Sequence, residues 1–364
     1  MQITNQLKKL QYLIRKKKNI FIIAGKNSYF KSGSNIFINN ILKNRNKYFY
    51  FKNCLYPDLK EIKIVGEKIN KINPDIIIAI GGGSVIDIAK VSNIINLKKK
   101  SKKKYEIVTK KKKSKLIAIP LTAGSGAEVT STAVVYINKK KISVETNYVK
   151  PDFFFLFPIL TINSPRKVKG PAIFDCIAQA VESIFSLKSN NKSILYAIKS
   201  LKISLKFYFE YYKNSNNFNS KKMLIASCYA GKAINISRTI ASHAISYPFT
   251  SMFNINHGKA VAITFVNVLR YNYFNRSRSI SKFLIKDRFN LLFKLTNTKN
   301  INGLSVYFQK LINDLELQIT GKDLKTKIKK NWLRICRGIN SKRLLNNPIT
   351  LNKKNIKQIL LSSC

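Results

Sequence analysis

The chain has 364 residues, 45% of them hydrophobic, enough for two cored domains and unlike a disordered composition. Lys and Arg number 67 against 16 Asp and Glu, a formal net charge of +51. The lysines run along nearly the whole chain beside excess Asn, Ile, Phe and Tyr, residues of A/T-rich codons, and no zinc-finger, RRM, KH or basic-zipper pattern accompanies them. A specific nucleic-acid partner is therefore not expected.

Scarcity makes the remaining acidic residues and the two histidines informative. Five scattered cysteines (Cys54, Cys176, Cys228, Cys336, Cys364) form no CxxC pair, which argues for a reducing compartment and against a disulfide framework or thiolate metal site. The basic N-terminus has no apolar signal core, and runs such as Ile76–Ile80 and Phe153–Leu160 are far shorter than a membrane span. A soluble, cytoplasmic protein without a membrane partner is expected.

In chain order, Asn19–Gly25 (NIFIIAG) is a short β-branched run ending in Gly, the pattern of a buried parallel strand. Ile36–Leu42 reads as helix, Lys47–Lys52 as strand, Leu59–Lys71 as helix and Asp75–Ile80 as strand. Gly81-Gly82-Gly83-Ser84 follows at once and opens a helix to about Leu97. Leu97–Lys115 is lysine-packed and reads as an exposed loop; Lys115–Pro120 is the next strand. Beyond Pro165 strand-like runs vanish, and Ala172–Leu187, Ser193–Tyr212, Lys221–Ile236 and Val261–Tyr273 carry helical periodicity. The expected fold is an α/β domain over 1–164 with a Rossmann-like parallel sheet, then an all-α domain over 165–364.

Three glycines between a strand and a helix let backbone N–H groups approach a pyrophosphate, and the helix N-terminus adds unpaired donors. Ser84 and Asp87 have capping-box spacing. Gly81, Gly82, Gly83, Ser84 and Asp87 are thus candidate cofactor-binding residues, although a plain Gly-rich turn has the same appearance. Thr122, Gly124, Ser125 and Gly126 repeat the small-residue pattern after the next strand. Asp175 and Gln179 share a helical face at i, i+4, and His243 and His257 lie 14 residues apart. A carboxylate, two imidazoles and an amide oxygen suit divalent Fe, Zn, Mn or Ni; satisfied polar groups in a core are the plainer alternative.

GGGSVIDIAK (Gly81–Lys90) resembles the GGGSxxDxAK signature of the iron-containing alcohol dehydrogenase family, and Ile119–Tyr136 resembles its IPTTAGTGSEVT segment. The resemblance implies the dehydroquinate synthase-like architecture, with the first loop on the cofactor pyrophosphate and Thr122 and Ser125 on phosphate or ribose. Lys141 then falls where the family has a cofactor-contacting lysine. It further implies a metal, Fe2+ before Zn2+, bound by Asp175, His243 and His257, with Gln179 where the family has a fourth, histidine ligand. Tyr247 stands where many members carry a proton-relaying histidine, and a phenol near a metal is expected to have a lowered pKa.

DCIAQAVES, Asn235–Phe265 and the C-terminal LLNNPITLNKKNIKQIL are most similar to the phosphonoacetaldehyde reductase branch of that family. The implied activity is NADH- or NADPH-linked reduction of phosphonoacetaldehyde to 2-hydroxyethylphosphonate, with Tyr247 or water as proton relay. Arg238 is the candidate phosphonate clamp, the cofactor and ion face each other across the interdomain cleft, and a homodimer is the expected assembly. A general alcohol or lactaldehyde-type dehydrogenase is one alternative, and an inactive dehydrogenase fold that binds polyanions is another. Phe51-Lys52-Asn53 offers no acidic residue for a ribose hydroxyl, which leaves NADH and NADPH both open.

Overall fold

A computed structural model describes residues 3–101, 104–109, 111–138, 140–319 and 321–363. Two compact units divide the chain: residues 1–138, 142–164 and 215–224 form the first, and residues 139–141, 165–214 and 225–364 the second.

In the first unit the elements run α1 (Ile3–Ile14), β1 (Asn19–Gly25), α2 (Lys26–Lys31), α3 (Ser34–Ile41), β2 (Asn46–Lys52), α4 (Leu59–Ile72), β3 (Ile76–Gly81) and α5 (Gly83–Ser92). They continue through β4 (Ile95–Ser101), β5 (Lys104–Thr109), β6 (Lys115–Pro120), β7 (Thr132–Ile137), most of β8 (Lys140–Glu145) and β9 (Phe153–Phe154). A parallel sheet of order β2-β1-β3-β6-β9 lies at the centre. Beyond their first residues its inner strands β1, β3 and β6 are buried and apolar, as strands covered on both faces must be. Alternation sends Phe21, Ile23, Ile77, Ala79, Leu116 and Ala118 into one core. It sends Ile20, Ile22, Ile76, Ile78, Ile117 and Ile119 into the other. Helix α4 starts on Asp58, whose side chain accepts from the Lys60 amide, and ends on Asn73 in the left-handed conformation (φ 47°). Chain order reverses between β1 and β3, so their C-terminal ends, Gly25 and Gly81, border the crevice where such sheets take ligands.

Two expectations need correction here. Helix α5 stops at Ser92 rather than near Leu97, and the lysine-packed segment after it is not a loop. Strands β4 and β5 pair antiparallel, Ile95 opposite Thr109 and Leu97 opposite Ile107. The strand-forming Ile95, Leu97, Tyr105, Ile107 and Val108 were masked by the lysines between them. Positions 102, 103 and 110 of that segment, and Cys364 among the cysteines, lie outside the described residues.

The second unit is built from α6 (Arg166–Phe185), α7 (Asn191–Lys213), most of α8 (Asn217–Ser237), α9 (Ala241–Phe253) and α10 (His257–Phe274). It continues through α11 (Ile285–Thr296), α12 (Ile301–Asp314), α13 (Gly321–Gly338), α14 (Ser341–Leu344) and α15 (Lys353–Leu361), with no strand among the described residues beyond 165. Helix α6 is the axis of this unit: it packs on α7 and α10, and α10 packs on α9. Nearly every residue from Lys169 to Phe185 is buried. On a helix so enclosed, a polar side chain costs roughly 1–3 kcal/mol unless it finds a partner. Asp175, Gln179 and Glu182 therefore demand an explanation. Among the described residues no helix is long and apolar enough to cross a membrane.

Candidate metal centre and cofactor cradle

Three helices of the second unit bring Asp175 (α6), His243 (α9) and His257 (α10) together, with one ligand atom from each lying within 4.8 Å of the others. The close approach of α10 to α6 depends on the residue after His257. A Cβ added at Gly258 would lie 1.9 Å from the Pro171 carbonyl oxygen, so only glycine lets the first turn of α10 sit there. His243 Nε2 is 3.1 Å from Asp175 Oδ1, and His257 Nε2 is 3.9 Å from the same oxygen. Gln179, one turn along α6, donates from Nε2 to Asp175 Oδ2 at 3.0 Å.

Glu182, unnoticed in the sequence, organises the centre. Its Oε2 is 2.6 Å from His243 Nδ1 and accepts from the Ile240 amide at 2.9 Å, and its Oε1 accepts from the His243 amide at 3.2 Å. Ile240, the N-cap of α9, has no capping side chain, so the Glu182 carboxylate serves the first turn of α9 from a neighbouring helix. The same carboxylate fixes the Nδ1 proton and turns Nε2 toward Asp175, the outer support that metal-binding imidazoles characteristically have. The available signal was its position: Asp175, Gln179 and Glu182 follow i, i+4, i+7 along the largely apolar stretch Gly170–Phe185.

The electrostatics suit a cation. Burial disfavours a charged His243, but Glu182 and Asp175 outweigh it and lift the ring to about 9. Burial alone would raise the Asp175 carboxyl, yet His243 and His257 hold it below its usual range. Burial and then the Lys141 ammonium push His257 down to about 3, leaving a neutral ring with a lone pair. Gln179 Oε1 and His257 Nδ1 are buried without a hydrogen-bond partner. A carboxylate, two imidazoles and a stranded amide oxygen form a donor set that fits Fe2+ or Zn2+.

Tyr247, one turn after His243, is buried with its ring centroid 6.1 Å from that of His257. Burial raises its pKa, reversing the expected lowering for the protein's own groups, and the Arg343 charge opposes that rise. Lys141 Nζ stands 3.5 Å over the Tyr247 ring. This expected cofactor contact is thereby placed beside the imidazoles. Arg238, the expected phosphonate clamp, stands at the end of α8. It follows α8 with φ 65°, its amide donates to Ile234 O, and its guanidinium donates to Asn235 O at 3.0 Å, which closes that helix.

In the first unit the two glycine loops meet. Gly82 is the N-cap of α5 and offers no side-chain cap, so the first amides of the helix keep their anion-binding capacity. A Cβ at Gly81 would meet Val85 at 2.7 Å, and one at Gly83 would meet Ser125 Oγ at 2.6 Å. Thr122 lies beside Gly82, and Thr122, Ser125 and Ser84 are half-buried. The capping box read from Ser84 and Asp87 is not formed. With Gly82 as N-cap, Ser84 is the second helical residue and Asp87 the fifth, too far along to cap. Asp87 instead accepts from the Val134 amide at 2.9 Å and pairs at 3.7 Å with the fully buried Lys90. Lys90 Nζ donates in turn to Thr130 Oγ1 and the Thr132 carbonyl.

A parallel sheet ending in uncapped glycine turns and a helical unit with an Asp-His-His cluster define the class. The chain belongs to the iron-containing alcohol dehydrogenase family: residues 1–158 match "Iron-containing alcohol dehydrogenase" and residues 172–364 match "Fe-containing alcohol dehydrogenase family, C-terminal". It is 26% identical over 224 residues to a phosphonoacetaldehyde reductase of Streptomyces viridochromogenes, covering 58% of this chain and 57% of that one. It is 28% identical over 223 residues to a 4-hydroxybutyrate dehydrogenase of Clostridium kluyveri, covering 57% and 59%. The matched stretches thus span little more than half the length of these curated relatives. The fold is similar to that of a sulfoacetaldehyde reductase from Bifidobacterium kashiwanohense solved with NAD+, with TM-score 0.83, 22% identity, and coverage of 98% of this chain and 94% of that one.

Proposed function

We propose that the chain is a divalent-metal alcohol dehydrogenase that reduces an aldehyde with NADH or NADPH, and that its substrate is phosphonoacetaldehyde, reduced to 2-hydroxyethylphosphonate. The observation that carries this reading is the convergence of Asp175, His243 and His257 beside the stranded Gln179 oxygen. The similarity to a phosphonoacetaldehyde reductase supports the substrate. When bound, the ion would act as a Lewis acid on the carbonyl oxygen and the nicotinamide would supply hydride.

The chain's own residues supply the rest. Asp175, His243 and His257 hold the cation, and Gln179 Oε1 is the fourth donor. Glu182 holds the Nδ1 proton of His243 and aims Nε2, where a bound cation would take the place of a proton. Tyr247, buried with its ring beside His257, is the proton donor to the product oxygen. Gly81, Gly82, Gly83 and Ser84 receive the pyrophosphate, with Thr122 and Ser125 on the phosphates or ribose. Asp87 acts behind them, bracing α5 on β7 through Val134.

The test is metal analysis of the purified protein together with NADH- and NADPH-linked reduction of phosphonoacetaldehyde, acetaldehyde and lactaldehyde. Stoichiometric Fe or Zn and the highest kcat/KM on phosphonoacetaldehyde are expected. A preference for the neutral aldehydes would transfer the protein to the general alcohol dehydrogenases of the family. Metal-free protein without turnover after reconstitution would leave the inactive, polyanion-binding fold.

A further inference from the structure

The connection from β2 to α4 carries two carboxylates, and backbone amides occupy both. Asp58 accepts from the Lys60 amide as the N-cap of α4. Glu61, buried, accepts from the Asn53 and Cys54 amides and from the Tyr50 hydroxyl. The remaining charged group at the end of β2 is Lys52. Its Nζ donates to the Cys54 carbonyl at 2.8 Å and to the Leu55 carbonyl at 3.1 Å, so the ammonium is held in place by two neutral partners. Lys52 is in register with Gly25, the last residue of β1, and its Cε would lie 3.9 Å from a Cβ placed there. The same Cβ would lie 3.8 Å from Val85 of α5, the residue that a Cβ at Gly81 would strike. Lys52, the bare Gly25 and the glycine turn therefore follow one another along the C-terminal ends of β2, β1 and β3, and a ligand on the turn has room to lie across β1.

We propose that Lys52 selects the cofactor, and that the cofactor it selects is the 2′-phosphorylated dinucleotide NADPH. The inference rests on the reductase reading above and decides between the two cofactors which that reading allows. With the pyrophosphate on the first amides of α5, the adenosine half runs over Gly25 to the end of β2, and its ribose 2′ substituent meets Lys52. At the end of the second strand in such sheets, a carboxylate accepts from a ribose hydroxyl and a cation accommodates a phosphate. Here Asp58 and Glu61 would have to release backbone amides to accept from a hydroxyl, whereas the Lys52 ammonium gains a charge-assisted hydrogen bond from a phosphate. Lys26, exposed and next to Gly25, is the rival cation. The net charge of +51 also favours any added phosphate regardless of its place, so a local contact has to be separated from the general field.

Fluorescence titration of NADPH and NADH at one fixed ionic strength tests the assignment, with Lys52→Met, Asn53→Asp and Lys26→Gln compared with the parent. The parent should bind NADPH about 10-fold or more tighter than NADH. In Lys52→Met that ratio should fall about 10- to 100-fold, through NADPH alone, the loss expected for one charge-assisted hydrogen bond. Lys26→Gln should leave the ratio within about twofold, since it alters only the general field. Calorimetric binding of adenosine 2′,5′-bisphosphate and 5′-AMP isolates the same phosphate from the nicotinamide and should change in parallel. Should Lys52→Met not fold, Asn53→Asp carries the test: it sets a carboxylate on an exposed position beside Lys52 and should lower the ratio by weakening NADPH.

A parent that prefers NADH overturns the inference while the reductase reading stands. So does a Lys52→Met protein that loses both cofactors alike, the signature of a lysine that merely ties the Cys54 and Leu55 carbonyls, and so does a fall of the ratio at Lys26 instead. A ratio unmoved by Asn53→Asp would place the ribose away from β2 and overturn the inference as well. A parent that binds neither dinucleotide overturns the cofactor reading itself.

Discussion

The cofactor cradle and the metal centre are built from opposite materials. In the cradle, function lies in backbone amides, and the residues that matter are those without side chains: a Cβ at Gly81 or Gly83 would strike Val85 or Ser125. In the metal centre, function lies in side chains from three helices, supported by the Glu182 carboxylate. The two should therefore respond to substitution in opposite senses, the first failing when atoms are added and the second when they are taken away.

The largest effect is expected at the centre. Asp175→Ala removes the carboxylate that both imidazoles face, and bound metal measured by elemental analysis should fall below detection with activity lost. Retention of stoichiometric metal would break the comparison outright. Glu182→Gln removes no ligand but takes the charge from His243 and from the first turn of α9. Metal affinity should drop about 10- to 100-fold, the range for outer partners of a ligating histidine. An unchanged affinity would reduce Glu182 to a helix cap.

The cradle sharpens the contrast. Gly83→Ala adds a single methyl group at 2.6 Å from Ser125 Oγ and should weaken NADH binding, followed by fluorescence titration, about 10-fold or more. Pairing it with Ser125→Gly, which removes both close atoms, should restore much of the loss. Thr122→Ala should cost only about 2- to 10-fold, the worth of one ordinary hydrogen bond. A Thr122→Ala loss greater than that of Gly83→Ala would show that side chains dominate here too.

The same contrast explains what could be read from the chain. A backbone site announces itself in order: strand, three glycines, helix are contiguous from Ile76 to Ser92, and sheet and loops were legible together. The centre draws on Asp175, His243 and His257, whose meeting depends on how α6, α9 and α10 pack, and only the rarity of histidine and the family resemblance pointed to it. Glu182 escaped because its role arises wholly from tertiary contacts, and the capping box expected at Ser84 and Asp87 does not form because the helix begins two residues earlier than that spacing requires. Among the described residues Glu61, Asp87, Glu128, Asp175 and Glu182 are buried. In a chain of net charge +51 such carboxylates are placed where a specific charge must be met. Glu61 accepts from the Asn53 and Cys54 amides at the end of β2, and Asp175 and Glu182 hold His243.

Asp87 and Lys90 test that rule where no ligand is involved, and the effect should be the smallest. Lys90 is fully buried, and burial lowers its pKa to about 8, with Asp87 and Glu128 pulling the other way. In the unfolded chain a lysine titrates near ~10.4. Between those values the unfolded state binds more protons than the folded one, so stability rises with pH through that window and is level below it. Lys90→Met removes the titration. The variant should be the less stable overall, because Asp87 loses its partner. The gap between parent and variant should widen as pH goes from about 7.5 to 9.5, by an amount on the order of 1 kcal/mol, or about 2–4 °C in melting temperature. Differencing against the variant cancels the titration of the many surface lysines, which both proteins share. A gap that stays level across that range would mean that the Asp87 carboxylate holds the Lys90 proton at least as firmly as burial expels it, and the cradle would then rest on a true buried ion pair.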